Sequence, residues 1–352
     1  MKLSQIGELL LLEQIKKSFK TKSRNIVVGI GDDAAVLKLT DKNLLVTTDM
    51  MVEGVHFDLG FITPYQLGFK LTSVNVSDIY AMGGKPFYLL MNIAVKKDMD
   101  TKFIISLFDG VKDANSLYDT FLIGGDLSDT NIGMALSATV IGCVKRHIPR
   151  SGAKIGDKIY VTGNLGDSAC GLELLKRIKR PVPLAPPTYL SPSSGEGKGR
   201  GEYPKIKTLL PEFLQGLSWN VIEPLLRRHL MPEARDPKKF VTYATSMIDI
   251  SDGLLIDLWR LCDESKVGVR IYIEKIPVSS ELKKAALYLG ISPIKLALSG
   301  GEDYELLFTA SDRKKVEAVY IGEITKSERL IVDSSGKEMS FTAKGYQHFR
   351  GK

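Results

Sequence analysis

The stretch LTSVNVSDIYAMGGKPFYLLMNIAV, residues 71–95, changes its hydrophobic period across one glycine pair. Upstream, Leu67, Leu71, Val74, Asp78 and Ala81 recur at alternating spacings of four and three. That spacing is the signature of one helix face, and it predicts a helix over about 64–82. Downstream, FYLLMNIAV (87–95) is a long apolar strand of the kind found in sheets covered by helices. A carboxylate, Asp78, therefore sits on the apolar stripe of its own helix. Burying it requires a cation or several donors to offset its desolvation.

The same alternation continues outward. An amphipathic helix is expected over 3–19, with short strands at 26–30, 34–39 and 44–48. A helix near 101–118 precedes the strand GMALSATVIGCVK (133–145), and KIYVT (158–162) leads into a helix within GNLGDSACGLELLKR. Further helices are expected near 218–229, 252–265 and 279–289, with strands at 268–273, 304–310 and 316–322. The class is α/β plus α+β. The polar, turn-rich segment RHIPRSGAKIGD (146–157) divides the chain into an N-terminal domain, 1–148, and a C-terminal domain, 149–352. Residues 181–204 hold six prolines, four glycines and three serines in 24 residues and read as a flexible insertion looping out of the second domain.

Composition excludes several classes. At 352 residues, 44% hydrophobic and 25% charged, the chain has material for two cores. Its longest charge-free stretches, 130–144 and 181–195, are too short to span a membrane, and MKLSQIGELLLLEQIKKSF does not read as a signal peptide, so a cytoplasmic protein with no membrane partner is expected. Cys143, Cys170 and Cys262 are scattered, form no CxxC, and read as small buried hydrophobes. The net charge of +7 comes with basic pairs that lack interleaved aromatics, which argues for a solvated face over nucleic-acid binding.

What remains is a repeated pattern: apolar segments that deliver aspartates at or near their ends. NLLVTTD ends at Asp49, FLIGGD at Asp126, SMIDISDG carries Asp249 and Asp252, and GIGDDAAVL carries Asp32 and Asp33. One such aspartate is ordinarily a cap or turn residue. Several of them, with the hydroxyls of Thr47 and Thr48 and no His or Cys cluster, suit a hard cation, Mg²⁺, and phosphate. No P-loop, dinucleotide fingerprint or Ser/His/Asp arrangement is present. The glycine turn of GNLGDS (163–168) reads as a tight strand-to-helix connection, whereas GGD (124–126) reads as functional.

The motifs GIGDDAAVL (29–37), TTDMMVEGVHF (47–57), VNVSDIYAMGGKP (74–86), IGGD (123–126), RSGAKIGDKIYVTGNLGDSACG (150–171), IDISDGL (248–254) and SGGEDYELLF (299–308) stand in one order along the chain, closed by KGYQHF (344–349). Together they resemble the thiamine-monophosphate kinases, of the superfamily that includes the aminoimidazole ribonucleotide synthetases. The resemblance implies a two-domain aminoimidazole ribonucleotide synthetase-like fold, whose N-terminal sheet domain dimerises and is followed by a C-terminal α+β domain. It implies ATP-dependent phosphorylation of thiamine monophosphate to thiamine diphosphate with several Mg²⁺ ions, and leaves a monovalent cation such as K⁺ open. By the same resemblance Asp33, Thr47, Thr48, Asp49, Asp78, Asp126, Asp249 and Asp252 are metal-binding, with Asp78, Asp126 and Asp252 the catalytic ones among them. Gly125, Asp126, Arg150 and Ser251 contact nucleotide, and His56, Glu302 and Tyr346 contact substrate. Leu127 and Gln347 depart from the family pattern. Aminoimidazole ribonucleotide synthetase is the nearest enzymatic alternative, disfavoured by VEGVHF and SGGEDYELLF.

Overall fold

The computed structural model describes residues 17–19, 25–28, 36–37, 43–186, 214, 216–311 and 316–346. The helix expected over 3–19 lies almost wholly outside them, and Asp32 and Asp33 lie outside altogether. The chain forms two compact units. Met1–Ile79, Lys85–Lys145 and Lys179–Leu209 make the first; Tyr80–Gly84, Arg146–Ile178 and Leu210–Lys352 make the second.

At the start of the first unit, strands β1 (Ile26–Val28) and β2 (Val36–Leu37) pair antiparallel. The main elements follow: β3 (Asn43–Val52), α1 (Pro64–Ala81), β4 (Lys85–Val95), α2 (Thr101–Tyr118), β5 (Phe121–Asp129) and β6 (Ala135–Val144). The sheet order is β3-β6-β4-β5, with β4 and β5 parallel across the helical crossover α2 and the other pairs antiparallel. Strand alternation sends Leu89, Met91, Ile93, Leu136, Ala138 and Val140 to one buried face. α1 lies against that face, where Ile79 abuts Gly142. α2 is capped at its start by Asp100, which accepts the Lys102 N–H at 2.8 Å, and at its end Tyr118 donates to Ser73 Oγ on α1 at 3.0 Å.

α1 departs from the expected single apolar stripe. From Gln66 to Ser77 every residue is buried, including Gln66, Lys70, Thr72, Ser73 and Asn75, while Asp78 itself is only partly buried. The expected insertion also begins as packed chain. Val182 and Leu184 are buried, and the Val182 carbonyl accepts Gln66 Nε2 at 2.7 Å. The segment from Lys179 groups with the first unit, not the second.

The second unit carries β7 (Lys158–Val161), α3 (Asp167–Ile178), α4 (Trp219–Leu230), β8 (Ala244–Asp249), α5 (Leu254–Ser265), β9 (Gly268–Tyr272), α6 (Ser280–Leu289), α7 (Pro293–Ser299), β10 (Leu306–Ala310), β11 (Val319–Thr325), β12 (Arg329–Val332) and β13 (Glu338–Ser340). Its seven strands run β13-β12-β9-β11-β7-β10-β8, antiparallel except for β12 with β9. One core gathers Ile248, Leu255, Leu258, Val269, Ala297 and Leu307 between this sheet and the helices. A second gathers stacked rings, Phe240 on Phe308 at 4.9 Å and Tyr160 on Phe308 at 5.5 Å between centroids. α3 and α4 touch backbone to backbone at Gly171, where a Cβ would stand 2.1 Å from the Leu225 carbonyl oxygen. Burial pushes the Cys170 and Cys262 thiols up to about 12, as inert buried sulfurs require. Among the described residues no helix is long and apolar enough to cross a membrane.

Candidate active site

In the first unit the expected ligands fall on two faces of one sheet. Thr47 Oγ1 donates to Asp78 Oδ2 at 2.6 Å, and the Asp49 N–H donates to Asn75 Oδ1 at 2.9 Å, so both strand residues meet α1. Thr48, between them, faces the other way: its hydroxyl donates to the Ala138 carbonyl at 3.0 Å and lies 3.1 Å from the Thr139 hydroxyl. Asp126 also stands on that outer face, in register with Asn92 of β4, whose own register partner is Ser137. β3 and β5 are opposite edges of the sheet, separated by three strand spacings or roughly 14 Å. The first unit therefore brings Thr47, Asp49 and Asp78 together and sets Thr48 and Asp126 apart from them.

Gly125, beside Asp126, is fixed by geometry. Its φ is +155°, and a Cβ there would stand 1.8 Å from the Met91 carbonyl oxygen, so only glycine lets β4 and β5 approach. His56 closes a tight turn in which Nδ1 accepts the Val52 N–H at 3.0 Å; the neutral ring consequently carries its proton on Nε2.

The second unit ties four expected residues into one backbone knot. The Ser251 carbonyl accepts the Glu302 N–H at 2.7 Å, the Asp252 carbonyl accepts the Tyr346 N–H at 3.0 Å, and the Ile250 carbonyl accepts the Tyr304 N–H at 2.9 Å. Asp249 precedes this loop, buried at the end of β8 opposite Leu306. Arg150 stands elsewhere. Its side chain is exposed and its carbonyl accepts the hydroxyl of Ser265, at the far end of α5 from Asp252, about 16 Å of helix away.

The residues that hold this knot escaped the sequence reading. Asp257 Oδ2 accepts three backbone N–H groups, from Ser251, Asp252 and Gly253, at 3.0–3.1 Å. Its only signal was one acid in the first turn of the apolar helix LLIDLW. Burial and the neighbouring Asp252 push the Asp257 carboxyl up to about 6, against the opposing pull of Arg260 and the amide donors. Beyond the loop, buried Asp303 accepts the Gly166 N–H at 2.7 Å and the Ser168 N–H at 3.3 Å, and burial pushes it up to about 7. Buried Glu305 accepts Arg228, Thr162 Oγ1 at 2.6 Å and Arg235 twice, at 2.7 and 2.8 Å. Burial alone would raise the Glu305 carboxyl, but the two guanidiniums outweigh it and hold it below its usual range. Among the described residues no three Asp, Glu, His or Cys side chains form a group that could hold a metal.

Two family models match the chain: AIR synthase related protein, N-terminal domain, over residues 31–144, and its C-terminal domain over 214–334. The thiamine-monophosphate kinase of Aquifex aeolicus (strain VF5) is 35% identical, with 99% of this chain and 100% of that protein covered. The chain belongs to the thiamine-monophosphate kinase family. A second thiamine-monophosphate kinase, from Buchnera aphidicola subsp. Schizaphis graminum (strain Sg), is 33% identical over 98% of this chain and 99% of its own. The solved complex of AaThiL with AMPPCP and TMP is 34% identical, covers 99% of both chains and superposes with a TM-score of 0.70. The backbone knot around Ser251, Asp252, Glu302 and Tyr346 thus belongs to a thiamine-monophosphate kinase fold.

Proposed function

We propose that this chain phosphorylates thiamine monophosphate to thiamine diphosphate with ATP, by Mg²⁺-assisted in-line transfer. The observation that carries this is the near-full-length likeness to thiamine-monophosphate kinases, one of them solved with AMPPCP and TMP, read here as an ATP analogue and thiamine monophosphate. The acceptor would be a phosphate monoester with a second pKa of about 6, largely dianionic near pH 7 and already a nucleophile. No general base is needed, which accords with a site built from carboxylates and hydroxyls. The difficulty is repulsion between two polyanions.

The donor set fits Mg²⁺, because every candidate ligand offers a hard oxygen: Thr47, Thr48, Asp49, Asp78, Asp126, Asp249 and Asp252, with Asp33 of the GIGDD motif. When bound, Mg²⁺ would neutralise the phosphates and orient them for in-line displacement. Arg150 would pair with nucleotide phosphate through its planar fork, and Gly125, Asp126 and Ser251 would contact the nucleotide. His56, Glu302 and Tyr346 would hold the thiamine moiety, with the half-exposed Tyr346 ring stacking on the thiazolium.

We also infer a homodimer through the first sheet. Edge strand β3 presents Leu44, Val46 and Met50 on its outer face at 54%, 61% and 59% exposure, an apolar row that a second copy could cover. ATP as co-substrate fits a cytoplasmic enzyme. An end-point assay with ATP, Mg²⁺ and thiamine monophosphate tests the main reading. Thiamine diphosphate formed in step with ADP supports it; ATP turnover without thiamine diphosphate would require another acceptor.

A further inference from the structure

Glu302 is an uncomfortable place for a functional side chain. Its φ of +64° is in the left-handed region, as is that of Tyr304 at +50°, and the two flank the fully buried Asp303. Contacts on either side fix where Glu302 begins: its N–H donates to the Ser251 carbonyl, and the Asp303 carboxylate is locked on the amides of Gly166 and Ser168. They do not fix its carboxylate. That group, 28% exposed, lies with Oε2 3.2 Å from Nδ1 of His229, which is 5% exposed on α4. The same Nδ1 is 3.1 Å from the hydroxyl of Ser168, a buried residue on α3.

One ring nitrogen cannot serve both neighbours as an acceptor. If Nδ1 were bare, Ser168 would donate to it and the carboxylate would face a lone pair. With the proton on Nδ1, the ring donates a charge-assisted bond to Glu302 Oε2, and the Ser168 hydroxyl is left as a secondary acceptor. The carboxylate has no proton of its own to offer, so its nearness selects the Nδ1–H form. The ring is placed for this by Gly171, whose missing Cβ lets α4 sit directly on α3; a Cβ there would also stand 3.2 Å from His229 Cβ.

We propose that His229 is a positioning residue for Glu302: its Nδ1–H selects the carboxylate rotamer that receives the thiamine moiety. This rests on the reading of Glu302 as a substrate contact. It adds to that reading a residue from a different helix and assigns the histidine no proton transfer and no direct contact with substrate.

The test compares His229→Asn, whose amide keeps a donor near the Nδ1 position, with His229→Leu, similar in shape and without a donor. Steady-state constants for both substrates and melting curves are measured beside wild type, Glu302→Gln and the His229→Leu/Glu302→Gln pair. We expect His229→Leu to raise KM for thiamine monophosphate about tenfold or more, the size of a lost hydrogen bond to a charged group, with KM for ATP within about twofold. His229→Asn should recover most of the loss, and the double variant should be no worse than Glu302→Gln alone. An unchanged thiamine monophosphate KM in His229→Leu overturns the proposal. So does a loss that appears equally in both substrates' constants and is not rescued by Asn. If His229→Leu does not fold, a folded His229→Asn whose thiamine monophosphate KM rises as far as that of Glu302→Gln overturns it, and one close to wild type supports it. Wild type that makes no thiamine diphosphate overturns the substrate reading, and this proposal with it.

Discussion

Arg260 grips Asp252 and Asp257 with one guanidinium nitrogen, Nη1, at 2.6 Å from Asp252 Oδ2 and 2.8 Å from Asp257 Oδ1. A carboxylate proposed as a metal ligand and a carboxylate that clamps its loop thus share one cation. Removing the clamp should cost more than removing its charge. Asp257→Ala would leave three amides of the 251–253 loop without their acceptor and is expected to destabilise the protein by roughly 3 kcal/mol. Asp257→Asn keeps an oxygen there and should cost about 1–2 kcal/mol. Equal losses in urea unfolding would show that the amide bonds do not matter.

The proposed metal ligands predict a different kind of defect. Asp78→Asn and Asp126→Asn should each lower turnover at least about a hundredfold, or about 2.7 kcal/mol in the barrier, with melting temperatures close to wild type. Either variant running near the normal rate at saturating Mg²⁺ would remove that residue from the set.

Asp303 predicts a pH dependence of stability with a definite sign. Its folded pKa, about 7, is above the ordinary carboxylate value. Between about pH 4 and pH 7 the folded chain therefore holds a proton that the unfolded chain has released, and stability falls as pH rises through that window. Asp303→Asn cannot ionise, so its stability relative to wild type should improve from pH 4.5 to pH 7. A difference that is flat, or that moves the other way, would mean that Asp303 is ionised throughout.

Gly171→Ala places a methyl 2.1 Å from the Leu225 carbonyl oxygen, and no rotamer relieves it. Separation of α3 from α4 should cost about 1–3 kcal/mol, visible as a lower melting temperature. If His229 positions Glu302, the same variant should also weaken thiamine monophosphate binding more than ATP binding.

The apolar row on β3 predicts the assembly. Val46→Lys or Met50→Lys should convert a dimer to a monomer in analytical ultracentrifugation. A wild-type chain that sediments as a monomer at micromolar concentration would dispose of the interface.

Much of the fold could be read from the chain because hydrophobic period and glycine breaks are local signals. The helix at 64–82 was found as Pro64–Ala81 and that near 101–118 as Thr101–Tyr118. α1 shows where such reading fails. Its polar residues look like a solvent face, yet Gln66, Ser73 and Asn75 are buried because their partners, the Val182 carbonyl, Tyr118 and Asp49, come from distant sequence. The opening residues of 181–204 were missed for the same reason: their proline content is visible, and the distant Gln66 amide that meets the Val182 carbonyl is not. Thr47, Thr48, Asp49, Asp78 and Asp126 were legible only as one set, and the separation of Thr48 and Asp126 from the other three depends on sheet register. Asp257, Asp303 and His229 gave almost no signal, since each acts by holding a segment that only the folded chain brings near.

Gly125 illustrates how exposure and tolerance can part company. It is open to solvent, so a surface-based mutagenesis plan would count it among the permissive positions. Yet every missense change of its codon adds at least a Cβ, and the obstacle 1.8 Å away is the Met91 carbonyl oxygen, main chain that cannot rotate aside. In a saturation library this column would be empty for alanine as much as for tryptophan, while the exposed neighbour Ser128 would accept many residues. Selection there would act on backbone proximity as well as on any contact with nucleotide, and it would leave a glycine in the record even in descendants that had lost every carboxylate proposed for metal.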